Sequence, residues 1–105
     1  MAKYLYAYHG GGGMADSEAE HDQILAAWGA WFGELGAAIV DGGAPSGPAD
    51  TMASDGSVTD GGGTNPVTGY SIVTADSRDE ALTMAKGCPI LPSGGSIEVV
   101  ELLEV

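Results

Sequence analysis

Basic residues are scarce: Lys3, Arg78 and Lys86 stand against fifteen acidic side chains, for a net charge of −12. A phosphate backbone is held by several Lys or Arg contacts, so nucleic acid is excluded as a partner, and an anionic membrane surface is equally unsuited. Cysteine is reduced to Cys88, which leaves no intrachain disulfide. No apolar run approaches the roughly 18 residues of a membrane span. No secretory h-region is read after the N-terminus, and a cytoplasmic location is the expectation. The acidity itself suits a solvated surface that keeps the chain soluble.

What is present suffices for a core. Hydrophobic residues make up 44% of the 105 positions, and the length suits a single domain over residues 1–105. A domain of this size buries only about two thirds of its unfolded surface, so it gains from covering an exposed face with a second subunit.

"KYLYAYH", residues 3–9, reads as a strand with Tyr4, Tyr6 and Tyr8 on one face and Leu5 and Ala7 on the other. Neither side is clearly polar, so both are expected to meet something apolar. A helix follows, with Ser17 and Glu20 as a capping box. Ile24, Leu25, Trp28, Trp31, Phe32 and Leu35 form its apolar stripe, roughly 120° wide. Gly36 is the expected terminator. Gly29 and Gly33 cost the helix about 1 kcal/mol each against Ala, which close backbone approach to a sheet would explain.

"AIVDGG" reads as a second strand, "APSGPADTMASDG" as loop, "SVTD" as a short strand and "TGYSIVTA" as another. Ser77 and Glu80 form a second capping box, opening a helix with Ala81, Leu82 and Ala85 on one face. "CPILPSGG" is a loop, and "SIEVVELLEV" closes the chain as a strand. The order is β-α-β-β-α-β with one small extra strand, an α+β fold on the ferredoxin-like plan with an antiparallel sheet.

The glycine run 10–13 sits between a strand and a helix, where phosphate loops occur. It offers neither G-x-G-x-x-G with its later acidic residue nor G-K-[ST]. Asp16, Glu18, Glu20 and Asp22 crowd the helix start and would repel a phosphate there. The run reads as a connection. Gly61 to Gly63 lie between strands and read as a hairpin or bulge. Asp41 and Asp60 head glycine-rich turns, where aspartate bonds its own backbone.

His21 falls within the apolar stripe, at the helix end nearest the first loop, and His9 ends the first strand, so the two imidazoles could border one cavity. His21 as a buried, hydrogen-bonded residue and His21 as a general acid or base both stand open. A metal site is not supported, because no third ligand sits at a diagnostic spacing. Cys88 beside Pro89 reads as a small buried residue.

With "AAWGAWFGELG", "VDGGAP", "SVTDGGGTNPVTGYSIV", "DSRDEALTMAKGCPIL" and "GSIEV" in view, the chain resembles the YCII-related family, in the branch named for a DGPF motif. The resemblance implies a dimeric α+β barrel, in which two ferredoxin-like sheets pack face to face with helices outside. It also implies a His-Asp pair, the histidine on the first helix and the aspartate before a proline after the second. His21 matches the histidine, whereas Cys88 stands at the aspartate's place. Of the motif, Asp60 and Gly61 match, and Gly62 and Gly63 replace Pro and Phe.

Taken together, these readings lead to a homodimer or higher homo-oligomer with a small-molecule cleft. Tyr4, Tyr6, Tyr8, His9 and Cys88 are its candidate lining, and no cofactor or metal is expected. Two rivals remain: a small cofactor-independent enzyme using His21, and a pure interaction module.

Overall fold

The computed structural model describes residues 2–10 and 18–104, apart from the side chains of Glu18, Glu20 and His21. The elements run β1 (Ala2–His9), α1 (Glu18–Leu35), a 3₁₀ turn (Gly36–Ala38), β2 (Ile39–Pro45), β3 (Asp50–Met52), β4 (Val58–Asp60), β5 (Val67–Ala75), α2 (Arg78–Ala85) and β6 (Ser96–Leu102). Four strands form one antiparallel sheet in the order β2-β5-β1-β6, and β3 and β4 form a separate hairpin. The expected α+β class with an antiparallel sheet is therefore present. β3 is an addition, because its residues lie in the stretch read as loop.

Both helices draw on one sheet face. Tyr4, Tyr6 and Tyr8 of β1 and Val73 and Ala75 of β5 form the core with Trp31, Leu35, Ala81, Ala85, Cys88 and Ile90. An aromatic cluster fills its centre: Tyr6 stacks on Trp31 at 5.9 Å, Trp28 meets Tyr8 edge-on at 5.0 Å, and Phe32 lies 5.5 Å from Trp31. Such pairs add about 0.5–1.5 kcal/mol each beyond their buried area. The α1 stripe is covered only from Trp28 onward; Ile24 and Leu25 stay exposed, because burial begins where the helix passes over these rings.

Three local expectations change. A Cβ on Gly29 or Gly33 would meet nothing within 4 Å, so these glycines permit no close approach and sit on the exposed side of α1. In α2, Ala81 and Ala85 are buried and Met84 packs beside them, while Leu82 faces out. β6 ends at Leu102, short of Leu103 and Glu104. The α2 cap is as read, with the Glu80 amide donating to Ser77 Oγ at 3.1 Å; Ser17 lies outside the described residues. Gly36 ends α1 with φ of 51°, and Asp41 Oδ1 accepts from the Gly43 amide at 2.8 Å.

Candidate functional site

The candidate lining splits between two places. Tyr4, Tyr6 and Tyr8 point into the core, and the hydroxyls of the last two are consumed there. Tyr6 donates to the Ala81 carbonyl at 2.5 Å. Tyr8 donates to Ser71 Oγ at 2.8 Å, and Ser71 donates in turn to the Gly42 carbonyl at 2.7 Å. That relay ties β1 through β5 to an irregular stretch of β2. Burial, with Cys88 adding a little, pushes the Tyr6 phenol up to about 12, and burial raises Tyr8 further. Cys88 is buried and its thiol is pushed up by desolvation, the opposite of an activated nucleophile.

Among the described residues, no helix covers the other sheet face. Its residues form rows set by the register. In the central row Ile72, Leu5 and Val100 are direct cross-strand neighbours; beside it run Tyr70, Ala7 and Glu98 on one side and Thr74, Lys3 and Leu102 on the other. Strand β5 is the informative one. Beneath the helices it places Gly69, Ser71, Val73 and Ala75, while Tyr70 and Ile72 turn to the open side. The bulkiest residues of a central strand thus lie where the described residues supply no cover. Tyr70 remains 39% exposed and Val100 and Leu102 are similarly open. An apolar row rimmed by polar residues is the signature of an interaction or binding surface.

Of the candidates whose side chains are described, His9 is the one on this face. Its ring is nearly buried. Nδ1 lies 2.9 Å from the Asn65 carbonyl oxygen and Nε2 lies 3.0 Å from Glu98 Oε1. A carbonyl and an ionised carboxylate only accept, so both bonds form together when the ring carries a proton on each nitrogen. The Glu98 side chain is 62% exposed. His9 holds one of its oxygens and leaves the other for a donor on the open face. Strand pairing explains the meeting: Ala7 faces Glu98 and His9 faces Ser96, which puts ring and carboxylate on one diagonal.

No protein-family model, curated protein or solved structure matches the chain.

His21 lies on α1, but its side chain is outside the described residues. Among the described residues no three His, Cys, Asp or Glu side chains gather to hold a metal ion, and no helix is long and apolar enough to cross a membrane. Glu98, Tyr70, Ile72 and Leu5 were absent from the sequence-derived site. The usable signal was pairing: once the first and last strands lie side by side, the alternation of Glu98 and Val100 places both opposite the Leu5–His9 face.

Proposed function

We propose that the chain is a homodimer of ferredoxin-like subunits, of the dimeric α+β barrel kind found in the YCII-related family. The open faces of two copies pack together, and the space between them takes a small molecule. The observation that carries this reading is the outward placement of Tyr70, Ile72, Leu5 and Val100 on a sheet whose other face is already filled. Sheet order supports the ferredoxin-like plan, because β2-β5-β1-β6 interleaves the two β-α-β units, with β5 between β2 and β1 and β1 between β5 and β6. A cleft of this kind is apolar with few polar groups. Here Glu98, held by His9, is the acceptor that orients a ligand carrying an N–H or O–H donor.

An acid–base enzyme is the second reading, and the half-exposed Glu98 beside a hydrogen-bonded histidine favours it. One experiment addresses both. Fractions of a metabolite extract are scored for thermal stabilisation, since a ligand at 100 times its Kd stabilises by about 2.7 kcal/mol. A stabilising fraction whose effect is lost in Glu98→Gln supports the cleft, and its consumption by the wild type alone supports the enzyme. Stabilisation unchanged by Glu98→Gln contradicts the assignment of the site.

A further inference from the structure

Residues 40 through 67 form the longest exposed run in the described chain; none of them is buried or half-buried. Yet the part beyond the main sheet is well specified. β3 and β4 pair Asp50 with Asp60, Thr51 with Thr59 and Met52 with Val58. Asp55 Oδ1 accepts from the Ser57 amide and hydroxyl at 2.9 and 2.7 Å, which fixes the tip. Ala53 donates to the Ser57 carbonyl at 2.7 Å, and Gly61 donates to the Ala49 carbonyl at 2.8 Å, which closes the hairpin at both ends.

Such an arm cannot stand by its own contacts. An isolated two-stranded hairpin is marginal in water. This one also sets Asp50 against Asp60, and like charges directly opposite destabilise a pair. Its apolar side chains, Met52 and Val58, are 70% and 58% exposed and take the tip end of the face whose base carries that acidic pair.

We infer that the β3–β4 arm docks on a second copy of this chain, with its Met52–Val58 face buried against that copy. The inference rests on the dimer proposed above and extends it. Area is the first argument. Four strands at about 4.8 Å spacing and roughly seven residues at about 3.4 Å make the open face about 450 Å² in projection. A stable interface takes about 600–1,000 Å² from each partner. The open face alone falls short. The two three-residue strands of the hairpin present a face of roughly 9 by 10 Å on the same dimensions, and a two-fold dimer in which each copy both donates that face and receives its partner's brings the contribution to the lower end of that range.

Continuity is the second argument. The arm leaves the sheet at the His9 end of the open face, and the bond from His9 to the Asn65 carbonyl anchors its return leg there. In a two-fold dimer each copy also donates and receives the same element, so one arm adds two contacts. The molecule measures 43 × 43 × 19 Å, with a radius of gyration of 15.0 Å, against about 13 Å for a compact chain of this length. It is flat and extended, as a subunit with reaching parts is.

The test uses the full chain and compares the wild type, a Met52→Thr/Val58→Ser double variant and Val100→Asp by sedimentation equilibrium. The hydrogen exchange of the Ala53 and Gly61 amides is followed alongside. The double variant is expected to stay folded, because both side chains are exposed, and to dissociate at least tenfold more readily. The two amides should be protected in the wild-type dimer and exchange freely in monomeric Val100→Asp. Unchanged dissociation of the double variant overturns the arm while leaving the dimer intact. Arm protection that is equal in dimer and monomer overturns it too. A monomeric wild type overturns the arm and the dimer together.

Discussion

Gly43 is the position where the architecture can be struck with one methyl group. Its φ is +72°, and a Cβ there would sit 1.7 Å from the Tyr70 carbonyl oxygen and 2.6 Å from its carbon. The left-handed backbone alone costs a non-glycine residue about 1–2 kcal/mol. The overlap is with backbone, so it is relieved only by moving β2 off β5. That movement breaks the bond from Ser71 to the neighbouring Gly42 carbonyl and leaves the proton of a fully buried hydroxyl without its acceptor, at about 1–3 kcal/mol. Gly43→Ala is therefore expected to destabilise by about 2–5 kcal/mol on these two costs, a large share of the roughly 5–15 kcal/mol that holds a domain. Urea unfolding at fixed protein concentration reads the loss as a fall in midpoint with little change in slope. Gly29→Ala is the internal control: nothing lies within 4 Å of its Cβ, and it should stabilise by up to about 1 kcal/mol. A Gly43→Ala protein as stable as the wild type would refute the described β2–β5 junction.

The buried phenols predict an alkaline limit. An unfolded tyrosine releases its proton near pH 10, whereas Tyr6 holds its proton to about 12, so the folded state binds more protons across that interval. Stability is complete below pH 10 and falls above it by about 1.4 kcal/mol per pH unit for each such tyrosine. Tyr6→Phe should flatten the fall, and ultraviolet titration showing all four tyrosines ionising near pH 10 in the folded protein would contradict it. Cys88, buried and with its thiol pushed up, should react with a disulfide reagent at least a hundredfold more slowly in the folded protein than in denaturant. Comparable rates would mean that the loop after α2 opens.

Much of the plan was legible because local signals agreed with it. The Ser77 cap, the β-branched run of β6 and the alternation of β1 each declare their element without long-range knowledge. β3 was not legible: its three residues lie between proline- and glycine-rich stretches, and only pairing with β4 makes Asp50–Met52 a strand. The apolar character of both β1 faces was readable, but not which face the helices take. That choice is written in β5, where Gly69, Ser71 and Ala75 leave room for Trp31 and Tyr8 while Tyr70 and Ile72 do not. The tyrosines of β1 therefore became core, and His9 alone stayed with the open face. Glu98 escaped notice because a charged residue in a closing strand looks like solvent-facing polarity until His9 is seen across the pairing.

The central claim is that this open face is covered by a second copy, and sedimentation equilibrium of the wild type beside Val100→Asp tests it most directly. The wild type should be at least a dimer at micromolar concentration. Its association should tighten from low to high salt, because added ions screen the repulsion between two chains of net charge −12. Val100→Asp, which places a carboxylate at the edge of the Leu5–Ile72 row, should be a folded monomer. A wild type that stays a folded, soluble monomer at every salt concentration, with Tyr70 and Val100 in water, would contradict the account.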